Sequence, residues 1–210
     1  MRNIRNIIAP LIVFGLAACN LGDYAGTNRD YDPDYGNGPF PTTRSTTDPL
    51  GDTFGAAGVE WDLSALTVTR TGDGEIVRLD FENGVVTADG DRLPISGVVE
   101  FDLDQNPTTG GRAVTDVVRE DRGATGLGVD GWVQLFPVGA DSSMAVFDAL
   151  GHQTGFAKAF FGGHRITIKI AKSLLGEDDG FMNTAAIVGN DRGATDFVPQ
   201  AGNLELSNAP

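Results

Sequence analysis

Cysteine is almost missing from this 210-residue chain: Cys19 is the only one, so no disulfide can form within it. Histidine is as scarce, with His152 and His164 alone, and no H-E-x-x-H occurs. Neither G-x-S-x-G nor the phosphate-cradling G-x-x-x-x-G-K is present, which removes the commonest hydrolase and nucleotide signatures. Basic side chains are in short supply, 15 against 29 acids, and the net charge of −14 argues against nucleic acid or an anionic membrane surface gripped by charge. No apolar stretch reaches the roughly 20 residues of a membrane-spanning helix, and no amphipathic helical period of useful length occurs.

What is present begins with a leader. Arg2 and Arg5 precede an apolar run over residues 7–18, which has the length and charge of a secretion signal. Its end, Leu16-Ala17-Ala18-Cys19, resembles the lipobox of bacterial lipoproteins, in which the Cys becomes the lipidated first residue. That resemblance implies a signal peptide over residues 1–18, a palmitate-type acyl anchor on Cys19 and a partner in the membrane itself; more than one chain is needed for stable anchoring. An ordinary signal peptide with a chance Cys at its end is the alternative. Asn20 follows where an Asp would favour inner-membrane retention, so the expected location is the cell envelope at the outer membrane. Loss of Arg2 and Arg5 with the leader takes the basic count from 15 to 13 against 29 acids, a net charge of −16.

From residue 20 to about 53 the composition shifts to Asp, Asn, Gly, Pro and Thr, with Tyr24, Tyr31 and Tyr35 the only tyrosines of the protein. No apolar period survives there, so residues 19–53 read as a disordered tether with a mean reach of roughly 30 Å. The Tyr-rich DYDPDY could instead serve as a docking motif.

Residues 54–210 have the size of one domain with its own core. EIVRLDFE (75–82) alternates, placing Val77, Leu79 and Phe81 on one face; GVVEFDLD (97–104) likewise turns Val99, Phe101 and Leu103 inward and Glu100, Asp102 and Asp104 outward. Similar runs lie at 63–71, 131–138, 143–150, 155–161, 164–170 and 183–189. Thr71-Gly72-Asp73-Gly74 and the pair Gly162-Gly163 read as hairpin turns, and AKSLLGEDDG (171–180) as at most one helical turn. These features predict an all-β fold of about eight or nine strands, an antiparallel jelly-roll-like β-sandwich, or else a barrel. DRGATG (121–126) and DRGATD (191–196) are two similar loops whose flanks do not match. Trp132 falls in a strand-like run and is expected in the core; Trp61, between Glu60 and Asp62, is equally compatible with core or surface.

Chemistry concentrates in FDLDQNPTTGG (101–111). At a strand end, residues two apart project to one side, so Asp102 and Asp104 can converge and Asn106 joins them if the chain curls at Pro107. Hard oxygen donors suit Ca²⁺. Pro107 and Ala113 stand where an EF-hand needs its Gly and its bidentate Glu, which excludes that loop type. The same residues also build an Asx turn that needs no ion.

The D-x-D-x-N-x-x-T-G stretch, the following Gly128-Val129-Asp130, the S-L-L-G-x-D-D-G run from Ser173 and the D-x-x-P ending at Pro199 together resemble exported bacterial β-sandwich modules. These are similar to carbohydrate-binding modules and DOMON-like domains. The resemblance implies a structural Ca²⁺ held by Asp102, Asp104, Asn106 and Thr109, with Asp130 as the best added ligand and Asp196 as a weaker one. It supplies no haem-ligand match for His152 or His164, both beside turn glycines. The expected role is a lipid-anchored binding or accessory module with a glycan or an envelope protein as partner, without catalytic residues. A glycoside-active enzyme using two of the acids, or a purely structural envelope lipoprotein, are the alternatives. The sequence assigns no oligomeric state.

Overall fold

Alternation of apolar and polar residues at a period of two gives nearly every long element here its strand geometry. The computed structural model describes residues 42–55, 58, 60–119, 124–136, 142–176 and 180–206. Cys19, the leader and most of the presumed tether, like residues 121–123 of the first DRGATG loop, lie outside them. In chain order the elements are β1 (Thr42–Thr47), β2 (Leu63–Thr71), β3 (Gly74–Phe81), β4 (Ser96–Asp102), β5 (Gly111–Arg112), α1 (Val114–Val118), β6 (Gly128–Val129) and β7 (Gly131–Gln134). There follow β8 (Ser143–Asp148), β9 (Gln153–Gly162), β10 (Arg165–Ala171), α2 (Lys172–Leu175), β11 (Met182–Asn190), β12 (Gly193–Val198) and β13 (Leu204–Leu206).

The all-β expectation holds, but the sandwich does not. Ten strands follow one another in a single unbroken sheet, β1-β2-β3-β10-β9-β8-β7-β4-β11-β12, with β13 beside β12 on the same edge of β11; every pairing is antiparallel. A sandwich would divide these strands between two sheets. Here the sheet curls until its ends meet. Phe54 N donates to Thr195 O at 2.8 Å, Trp61 N to Thr195 Oγ1 at 3.1 Å and Leu63 N to Asp196 Oδ2 at 2.7 Å, joining the β2 side to β12. The result is a nearly closed barrel of eleven main strands, with β5 and β6 as a separate small ribbon.

One continuous core fills the interior. Leu66, Val77, Leu79, Val99, Phe101, Val133, Met144, Ile166, Ile168 and Val188 are all fully buried in it. Trp61 belongs there as well, edge-on to Phe81 at 5.9 Å and donating its indole N–H to Pro94 O at 3.1 Å. Outward positions of the same strands carry Arg78, Asp80, Lys158 and Arg165, with Phe156 and Phe160 also exposed on β9.

Three further expectations are corrected. The presumed tether already contains β1, which pairs with β2 along its whole length. Beside the backbone ladder, hydroxyl pairs tie it to β2, Thr43 with Thr69 at 3.0 Å and Ser45 with Thr67 at 2.9 Å, and it lacks the apolar alternation that marks the other strands. Glu100 and Asp102, expected in solvent, are 2% and 0% exposed. Residues between β4 and β7 fold back over the outer face, where Ala113, Leu127 and Val129 pack on Ala185 of β11. Trp132 points to this outer layer, partly buried and stacked on Phe147 at 5.2 Å, and is not in the barrel core. The hairpins stand as read, except that the β9–β10 turn is Gly163-His164, one residue later than the glycine pair.

Candidate metal centres

The D-x-D-x-N loop leaves β4 at Asp102, and its backbone is tied by the side chains that precede it. Asn106 N donates to Asp102 Oδ1 at 3.2 Å and to Asp104 Oδ1 at 3.0 Å. Thr109 Oγ1 donates to both Asp104 oxygens, at 3.0 and 2.9 Å. From the far side Gly128 N reaches Asp102 Oδ2 at 3.2 Å, and Leu103 N donates to Asp130 Oδ2 at 2.8 Å. Gly128 has no Cβ for a reason: one would lie 2.3 Å from both Asn106 O and Thr109 O, so only glycine lets the loop close on β6.

These bonds bring one carboxylate oxygen each of Asp102, Asp104 and Asp130 to within 4.8 Å of one another. Two oxygens bound to one Ca²⁺ at about 2.4 Å can be no more than about 4.8 Å apart, so the arrangement fits that ion. The backbone N–H groups hold the carboxylates in place while leaving lone pairs for a ligand. Burial, then repulsion from Asp130 and Asp104, raises Asp102 above the ordinary carboxylate range. Asn106 and Thr109 are bound into the same loop, Asn106 through its N–H and Thr109 through its hydroxyl on Asp104. Asn106 Oδ1 accepts from Thr108 N at 3.1 Å and Thr108 Oγ1 at 2.7 Å, while the Thr109 hydroxyl donates to Asp104 and Asn106 O.

Asp196 is not at this loop. It lies in β12 on the barrel seam, where its carboxylate meets Asp48, just after β1, and Asp52 in the following loop, again with oxygens within 4.8 Å. Sequence reasoning missed this second cluster. Asp196 accepts from Leu63 N at 2.7 Å and Phe197 N at 2.8 Å; Gln200 Nε2 donates to Asp52 at 2.5 Å and reaches Asp48 at 3.5 Å. Asp62, at the entry to β2, accepts from Gly51 N at 2.7 Å and has Glu82 as an acidic neighbour. Asp48, Asp62 and Asp196 are 6%, 2% and 0% exposed. Yet Asp48 Oδ1, Asp52 Oδ1 and Asp62 Oδ1 accept no hydrogen bond. Among the described residues no Lys, Arg or His pairs with any of the four. Burial, with repulsion from its acidic neighbours, pushes Asp196 up to about 8 and Asp48 to about 7.

Another buried acid serves the fold. Glu100 receives Val114 N, Thr115 N at 3.1 Å and Thr115 Oγ1 at 2.7 Å, and so caps the first turn of α1, although burial still raises it.

Comparison with protein-family models, curated proteins and solved structures finds no match to this chain. The resemblance to carbohydrate-binding and DOMON-like modules is overturned by the fold itself, since those domains are jelly-roll sandwiches and this one is a nearly closed barrel. The glycan-binding role rested on that resemblance and goes with it. What stands is an all-β domain whose acidic clusters have the geometry to chelate a divalent cation.

Proposed function

We propose that the protein is an exported, lipid-anchored barrel of the cell envelope that binds Ca²⁺ at Asp102, Asp104 and Asp130 as a structural ion, and acts as a binding or accessory module. One observation carries the metal reading: three carboxylates from two separate segments converge within 4.8 Å while backbone donors fix their orientation. Ca²⁺ is favoured over Mg²⁺ because all the donors are protein oxygens on a loop that can add backbone carbonyls. Mg²⁺ prefers to keep most of its water. The ion would neutralise the charge gathered at the end of β4 and tie β6 to the loop. The anchoring part is supported by the leader and by Leu16-Ala17-Ala18-Cys19.

Stripping the protein with a chelator and returning Ca²⁺ tests the central claim. At a free concentration of 100 times Kd, binding adds about 2.7 kcal/mol, a rise in Tm of roughly 5–10 °C for a domain of this size. An unchanged Tm removes the ion from the proposal. Replacing Cys19 by Ser and following the chain between membrane and soluble fractions tests the anchor separately; an unaltered distribution would refute it.

A further inference from the structure

We propose that Asp48, Asp52 and Asp196 form a second divalent-cation site, of the oxygen-ligand class that suits Ca²⁺, which clamps the barrel shut along its seam. The three carboxylates lie within 4.8 Å of one another. They come from opposite sides of the closure: Asp48 directly follows β1 and Asp52 lies in the loop leading on to β2, whereas Asp196 sits in β12.

The second observation is independent of that proximity. Asp48 is 6% exposed, and its Oδ1 has no hydrogen-bond partner; Asp62 beside it is 2% exposed with the same deficiency at Oδ1. Nearly all buried polar side-chain atoms in folded proteins are partnered, so several such oxygens in one place mark a missing ligand. The chemistry of the place narrows what that ligand is. Among the described residues four acids gather there with no basic side chain beside them, and Gln200 Nε2 reaches two of them. Water brings no positive charge to such a cluster, and an anion is repelled. A hard cation fills the unpaired oxygens and balances the charge at once.

The consequence is mechanical. Between β2 and β12 the sheet has no regular ladder, and the seam is crossed by Phe54, Trp61 and Leu63 N–H groups reaching Thr195 and Asp196. Asp196 is held by Leu63 N on one side, so an ion on its carboxylate links β12 to Asp48 and Asp52 through the same residue. The site does not depend on the D-x-D-x-N loop, and the two can fail separately.

Ca²⁺ binding to the chelator-stripped full chain is the test. Wild type is expected to bind two ions, and an Asp48→Asn/Asp52→Asn variant one. Equal stoichiometry in the two chains overturns the seam site. Should that variant not fold, an Asp104→Asn/Asp130→Asn variant, disabled at the loop alone, is followed by hydrogen exchange. At Ca²⁺ 100 times Kd its Phe54, Trp61 and Leu63 amides should exchange about 100-fold more slowly than without the ion. Identical rates with and without Ca²⁺ refute the clamp.

Discussion

Without a bound cation, the seam should make this protein lose stability as pH rises, the opposite of ordinary acid denaturation. Burial and mutual repulsion hold Asp196 up to about 8 and Asp48 to about 7, against an ordinary 3.8. Carboxyls with raised folded values keep protons that the unfolded chain has released. Their contribution is therefore complete below about pH 4 and is lost progressively as pH climbs toward the folded values. Each retained proton costs about 1.4 kcal/mol per pH unit. With those values the pair keeps close to two protons over most of pH 5 to 7, so stability falls by about 5 kcal/mol, or roughly 10–20 °C in Tm. Glu100 and Asp102 are also raised and act in the same direction, whereas Asp148, lowered by the His152 and Leu150 backbone N–H groups, titrates below this window. Wild type and Asp48→Asn melted in chelator at pH 5, 6, 7 and 8 separate the seam from the other acids. The variant's slope should be shallower, since it lacks one of the two groups and relieves the other. A wild-type Tm that is flat or rises over this range, or a variant with an identical slope, refutes the reasoning. Saturating Ca²⁺ should flatten the wild-type profile, because the ion displaces the protons at issue.

Glu100→Gln places an amide N–H₂ against the donors of α1, and is expected to cost about 2–3 kcal/mol in denaturant unfolding through the loss of buried charged hydrogen bonds. Gly97→Ala should be worse, about 3 kcal/mol or more: Gly97 has φ +130°, and a Cβ there would lie 2.0 Å from Ile187 O, forcing β4 off β11. Circular dichroism melts would show it. Arg119, 1% exposed, donates to Gln200 O at 2.5 Å and Gly202 O at 3.2 Å and lies 4.8 Å from the Phe197 ring; Arg119→Met should cost about 3–5 kcal/mol by denaturant titration.

The strands were legible because their signal is local. Val77, Leu79 and Phe81, or Val99, Phe101 and Leu103, alternate within a few residues, and all six are buried as that alternation requires. Closure was not legible, because inward alternation is the same whether a sheet packs on a second sheet or on itself. The outward half of the pattern failed at Glu100 and Asp102 for a related reason. Their cover comes from Ala113, Leu127 and Val129, in a segment whose short helix and two-residue strands carry no periodic signal. β1 escaped notice because a ladder of Thr and Ser hydroxyls needs no apolar residue, and so reads as tether composition.

The two acidic clusters show the same divide, with a sharper consequence. Asp102 and Asp104 could be found from spacing, since they stand two apart at a strand end, whereas Asp130 came only from the resemblance to exported β-sandwich modules. Asp48 and Asp52 stand in polar, Thr-rich sequence, and the residue that gives them meaning, Asp196, is reached only when the barrel closes. No local pattern can encode such a site, because closure creates it. The dependence also runs the other way. Elsewhere in the barrel each strand is held by a ladder on both sides, but the seam is joined by a few hydrogen bonds to Thr195 and Asp196, the Phe54–Phe197 ring contact and a knot of acids. A barrel opens first where its ladder is interrupted. The charge state of these acids, by proton or by cation, therefore bears directly on the seam, and a change there should release the β1–β2 edge while β3, β10 and β9 stay paired.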